Sequence, residues 1–146
     1  MSNKVVDFAQ MVASVTLGSV VAAAGCGKTE AIANATALSE GRRLILTHTH
    51  AGVDALRKRL KKNGVPKEKY SIDTIAGRSL RFSASYPLRS GLDTPHPVKD
   101  EWDDIYNCAR RLIEGGAISG VLEASYNGLF VDEYQDCTVN QHKIIK

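Results

Sequence analysis

The spacing of apolar residues changes repeatedly along the chain, and each change marks an element. Val5, Phe8, Ala9 and Val12 recur at helical spacing and predict a short leading helix. Residues 19–24 form a run of β-branched and small apolar side chains, which predicts a buried strand. Residues 25–27 are a glycine turn, and Lys28–Leu38 predicts a helix closed by Glu40 and Gly41. Leu44, Ile45 and Leu46 predict a second buried strand. Val53, Leu56 and Leu60 line one face of the helix that follows, which ends near Asn63 and Gly64. Tyr70–Thr74 reads as a third strand and Ile75–Ser85 as a third helix. Residues 86–98 contain Pro87, Pro95 and Pro97 and predict an exposed loop. Residues 100–114 predict a helix with Trp102, Ile105, Ala109 and Leu112 facing inward. A short helix or turn at 117–126, a strand at 128–132 and a helix from Thr138 onward complete the pattern.

Strands alternating with helices predict an α/β fold with a parallel sheet and right-handed crossovers. Ligands of such sheets bind at the carboxyl ends of the strands. Ala24, Thr47, Thr74 and Asp132 all fall at those ends, so the candidate motifs converge on one rim.

At 146 residues the chain has room for one buried core. Hydrophobic residues at 43% and charged residues at 24% give a globular balance. The net charge of +3 does not by itself demand a nucleic-acid partner, but the charge is unevenly placed. Arg57, Lys58, Arg59, Lys61 and Lys62 crowd one stretch, read as the solvated outer face of an amphipathic helix. Cys26, Cys108 and Cys137 are scattered, with no C-x-x-C pair, and predict free thiols in a reducing cytoplasm. No basic region followed by an apolar core opens the chain, so no signal peptide is expected, and no apolar run is long enough to span a membrane.

Residues 22–29 read Ala22-Ala23-Ala24-Gly25-Cys26-Gly27-Lys28-Thr29. A triphosphate needs backbone amides pointing inward, and glycines let the chain curl closely around it. Lys28 can reach the outer phosphates, the Thr29 hydroxyl can ligate Mg2+, and the helix that begins there adds its positive end. Ala22 stands where the general pattern G-x-x-x-x-G-K-[ST] has glycine. Cys26 reads as a small residue filling the loop.

Residues 129–136 read Leu129-Phe130-Val131-Asp132-Glu133-Tyr134-Gln135-Asp136. The apolar run buries a strand and delivers two acids to the sheet rim. Magnesium takes hard carboxylate oxygens and keeps several waters, which suits Asp132. Glu133 suits the general base that orients and deprotonates an attacking water.

These two motifs, in this order, resemble the UvrD/Rep/PcrA group of superfamily 1 DNA helicases. That group commonly has alanine where Ala22 stands. The segment Leu46-Thr47-His48-Thr49-His50-Ala51 resembles its motif Ia, and Ser71-Ile72-Asp73-Thr74-Ile75 the segment next along. The resemblance covers nearly the whole chain except residues 86–126, where the group inserts a variable subdomain that is short here.

The resemblance implies a P-loop NTPase of RecA-like type: a three-layer sandwich around a parallel central sheet, incomplete, with a small helical insert. It implies that residues 1–146 are one ATP-binding domain, with ATP and Mg2+ as cofactors. Ala22 to Thr29 would bind nucleotide, with Gln10 the candidate for an adenine-reading glutamine, its other reading being a surface place on the leading helix. Thr29 and Asp132 would hold the metal. Lys28, Glu133 and Gln135 would carry catalysis, Gln135 by sensing the γ-phosphate and the attacking water. Thr47, Thr49, His50 and Thr74 would lie along single-stranded DNA. Two departures bear on that path. His50-Ala51 replaces an Asn-Lys pair, and Asp73 stands where histidine is common, which puts an acid near the phosphates. Trp102 and Tyr106 have the aromatic faces to stack bases, but their helical spacing favours core packing.

Helicases of this group use two RecA-like lobes with ATP between them. No motif of a second lobe follows Asp136, so the chain is expected to be the N-terminal lobe of a longer ATP-dependent DNA helicase. The rival readings are a non-helicase P-loop ATPase or kinase, and a catalytically silent nucleotide-binding module.

Overall fold

The computed structural model describes residues 3–21, 23, 25–93 and 101–146. Among them are three strands and eight α-helices. In chain order these are α1 (Asn3–Ser14), α2 (Lys28–Leu38), β1 (Arg43–Thr47), α3 (His50–Lys62), β2 (Tyr70–Thr74) and α4 (Ile75–Ser85). There follow α5 (Pro87–Ser90), α6 (Trp102–Glu114), α7 (Ser119–Ser125), β3 (Gly128–Val131) and α8 (Val139–Ile145). The chain is α/β, with a small parallel sheet.

The sheet order is β2-β1-β3. Arg43 to Thr47 pair in register with Tyr70 to Thr74 on one side, and Arg43 to Leu46 with Gly128 to Val131 on the other. Central strand β1 is covered on both faces, so its apolar run is continuous rather than alternating. Ile45, Ile72 and Phe130 lie side by side in the register. They join Ala33 of α2 and Leu56 and Leu60 of α3 in one core cluster. Leu44, Leu46 and Val131 face the other way, against Ile75 of α4, Tyr106 of α6 and Ile144 of α8. Ile45, Leu56 and Leu60 are fully buried, each removing an aliphatic side chain from water for about 1.5–3 kcal/mol.

The helices start where local chemistry lets them. Thr49 caps α3 by accepting from the Gly52 amide at 3.0 Å, and Thr74 caps α4 by accepting from the Gly77 amide at 2.9 Å. Thr138 and Gln141 form a reciprocal capping box at the start of α8. Alanines at 31, 33, 35 and 37 favour α2.

Four expectations are corrected. The strand at 19–24 does not form: residues 18–21 and 23 are irregular, and Ala22 and Ala24 lie outside the described residues. The segment runs beside the outer edge of β3 across an open cleft of about 500 Å³, lined by Met11 to Val20, Arg43 and Asn127 to Phe130. The cleft separates the segment from that edge, so its β-branched composition alone does not make a strand, and Val21 is left 95% exposed. The loop at 86–98 begins with a helical turn, α5, because Pro87 occupies its first turn without losing a needed amide. Ser90 there is fully buried, donating to the Ser83 carbonyl at 2.9 Å; residues 94–98 lie outside the described set. The helix expected from residue 100 starts at Trp102, and residue 100 is also outside it. The strand expected to reach Asp132 ends at Val131, although the Asp132 amide still donates to Leu46 at 2.8 Å.

Candidate nucleotide site

Asp132 and Thr29 are 103 residues apart in sequence, and the fold puts them in contact: the Thr29 hydroxyl donates to Asp132 Oδ2 at 3.2 Å. Asp132 is delivered by β3, whose last ladder bond fixes its backbone. Thr29 is the second residue of α2. Asp132 is only 5% exposed, and its other oxygen, Oδ1, is buried without a hydrogen-bond partner. Burial pushes the Asp132 carboxyl above the usual carboxylate range, and the neighbouring Glu133 pushes the same way. The Thr29 hydrogen bond, the Glu133 amide and Lys28 pull it back in part.

Glu133 has φ 55 and ψ 41, and among the described residues it is the only non-glycine with positive φ. A left-handed residue with a Cβ costs roughly 1–2 kcal/mol. The turn brings Glu133 Oε2 to 3.9 Å from Lys28 Nζ, and Gln135 Nε2 donates to the same oxygen. Strain at such a residue is a common mark of a working site.

Gly25 and Gly27 both take the left-handed conformation, at φ 78 and 81. A Cβ would meet nothing within 4 Å at Gly25 and only Glu30 Cβ at 3.9 Å at Gly27. Here glycine is required by the backbone path rather than by crowding. Gly27 is the N-cap of α2 and brings no side chain to the leading amides. By contrast α3, α4 and α8 have threonine hydroxyls there. The first turn of α2 therefore offers amides and a positive dipole end to an anion.

The residues singled out from the sequence sort by place. Lys28, Thr29, Asp132, Glu133 and Gln135 come together. Gly25, Cys26 and Gly27 lead into them as an exposed loop, and the Cys26 amide donates to the Ala23 carbonyl at 3.2 Å. Ala22 and Ala24 lie outside the described residues. Gln10 is exposed on α1. On the rim beside the site, Thr47 and Thr74 are buried at 3% and 4%, whereas Thr49 and His50 are exposed. Tyr106 is 7% exposed and its hydroxyl accepts from Gln141 at 2.9 Å, so it packs in the core. The described residues contain no cluster of three or more His, Cys, Asp or Glu that could hold a metal unaided. Asp132 and Thr29 could contribute one carboxylate oxygen and one hydroxyl to a hard cation.

Sequence reasoning missed two features. The left-handed turn at Glu133 carries no glycine or asparagine signal. The partners of Asp73, Arg78 and Arg81, were legible only once α4 was in place. His48, at the end of β1, lies 3.5 Å from Cys137 Sγ, linking the two segments of the rim.

No protein-family model matches the chain, and no curated protein or solved structure is significantly similar to it. What this site can do is therefore read from its own side chains. It can take an anion at the start of α2, a divalent cation at Asp132 Oδ1, and a water within reach of Glu133. No helix among the described residues is long and apolar enough to cross a membrane.

Proposed function

We propose that this chain is the ATP-binding lobe of an ATP-dependent DNA helicase of the UvrD/Rep/PcrA type, a RecA-like P-loop sandwich working in the cytoplasm. Its parent would couple ATP hydrolysis to translocation on single-stranded DNA, 3′ to 5′, and to duplex unwinding. The observation that carries the reading is the Thr29–Asp132 contact at 3.2 Å, with Asp132 Oδ1 buried and unpartnered beside it. A buried carboxylate oxygen without a donor is costly unless a cation completes it.

Thr29 and Asp132 would hold magnesium, which when bound offsets the charge of the phosphates. Lys28 swings from the more exposed Glu133 carboxylate onto the outer phosphates, a move of a long, flexible side chain. That releases the Glu133 carboxylate to accept a proton from the attacking water, while Gln135, now bonded to Glu133, orients that water. Arginines from a second RecA-like lobe would stabilise the transition state. The rival readings, a non-helicase ATPase or kinase and a silent nucleotide-binding module, share the phosphate loop and differ in DNA response.

Binding of a fluorescent ATP analogue with magnesium tests the reading. Lys28→Ala is expected to abolish or strongly weaken binding while circular dichroism stays native. Unchanged affinity would sink the assignment of the phosphate loop.

A further inference from the structure

Asp73 looked from the sequence like an acid set against a phosphate path. The structure gives it another role. Its side chain is 8% exposed and is held on three sides. Oδ1 accepts from the Thr74 amide at 2.8 Å. Arg78 Nε lies 3.3 Å from Oδ2, close enough to pair electrostatically though not aligned for a hydrogen bond. Arg81 Nη2 donates to the same Oδ2.

The two arginines differ in what they have left. Arg78 is 15% exposed. It donates to Ser71 Oγ at 2.8 Å and lies over the rings of Phe82 and Tyr126. Its guanidinium is used up inside the fold. Arg81 is 62% exposed although it is tied to a buried carboxylate. One edge of its planar fork is fixed, and the remaining donors face water. With Asp73 at −1 and the arginines at +1 each, the cluster carries a net charge of +1.

Helical geometry explains where this charge sits. Arg81 lies two turns into α4, but long side chains on a helix point back toward its N-terminus. Its guanidinium therefore returns to the level of Asp73, at the carboxyl end of β2. That is the rim on which the exposed cap Thr49 also stands. Asp132 is two strand spacings away across β1, roughly 10 Å. That separation sets the guanidinium apart from the magnesium-binding carboxylate.

We infer that Asp73 is a positioning residue that presents the Arg81 guanidinium to a backbone phosphate of single-stranded nucleic acid running along the rim past Thr49. The inference rests on the proposed helicase reading and adds to it a residue and a direction for the strand. An exposed arginine ordinarily loses rotamer freedom when a ligand fixes it. Here the fixed Asp73 contact has already restricted the side chain, which favours a planar fork-to-phosphate contact.

The test measures binding of a fluorescein-labelled oligothymidylate to the 146-residue chain across a salt series, beside binding of the ATP analogue. Arg81→Gln is expected to weaken oligonucleotide binding and to reduce the slope of log K against log salt by about 0.7, the value for one phosphate contact on a single strand. Melting temperature should fall, because Asp73 loses a partner, while ATP-analogue affinity measured well below the transition should stay at the wild-type value, and Arg81→Lys should recover part of the slope. Asp73→Asn separates positioning from repulsion: loss of an anchor weakens oligonucleotide binding, whereas removal of a repelling acid tightens it. Because Asp73→Asn leaves Arg78 buried without its partner, Arg81→Gln remains the deciding variant should that protein not fold. Wild-type slope and affinity in Arg81→Gln overturn the inference and leave DNA binding intact. A wild-type chain that binds ATP but no oligonucleotide overturns it together with the nucleic-acid half of the proposed function.

Discussion

At the residue scale, Asp132 sets stability against function. A buried carboxylate with one unpartnered oxygen beside Glu133 is unfavourable in the folded chain, so its proton is held more tightly there than in the unfolded chain. The folded state then binds more protons between the ordinary carboxylate range and the raised value. Stability falls as pH rises through that window, and the cost is complete above it. Asp132→Asn keeps an acceptor for Thr29 and removes the charge. It should raise the melting temperature at pH 7, by on the order of 1 kcal/mol or roughly 3 °C. The difference should shrink toward pH 4, as the wild-type carboxyl takes up its proton. A scanning calorimetry series over that range checks it. A variant less stable than wild type at pH 7 contradicts the unpaired-charge account.

Elements were legible where a local signal and a tertiary partner agreed. Lys28–Leu38, Tyr70–Thr74 and Ile75–Ser85 were read with the bounds they have, because alanine content, β-branching and threonine caps all point one way. The strand expected at 19–24 does not form among the described residues, because a cleft separates the segment from the free edge of β3 and no pairing is made. The turn at Pro87 was missed because proline marks a helix start as well as a loop. Lys28, Thr29, Asp132 and Glu133 were singled out by residue type and order, and the fold brings them into contact. The Asp73–Arg81 pairing was not legible in the sequence, because it joins residues eight apart through a side chain folded back along α4. Thr138 gives the clearest element-level test. Its hydroxyl accepts from Gln141, whose side chain returns a bond to the Thr138 amide at 3.0 Å and also reaches Tyr106. Thr138→Ala should cost about 1 kcal/mol, read as a lower urea midpoint with an unchanged m value. No change in the midpoint would mean that α8 is held by packing alone.

At the scale of the whole molecule, the sheet is the device that assembles the site. Three parallel strands end on one rim, and the contact between Thr29 and Asp132 spans most of the sequence. Under the proposed function the chain should bind ATP and hydrolyse it hardly at all by itself, because Glu133 and Asp132 would serve as base and metal carboxylate while the transition-state arginines would come from a second RecA-like lobe. Binding, rather than turnover, is therefore the direct readout of its chemistry. The decisive measurement is calorimetric titration of ATP into wild type and Asp132→Asn, each with magnesium and with EDTA. The account predicts that magnesium tightens ATP binding to wild type and that Asp132→Asn still binds ATP but gains nothing from the metal. An equal gain from magnesium in both proteins would contradict Asp132 as the metal-holding carboxylate, and with it the central claim about this site.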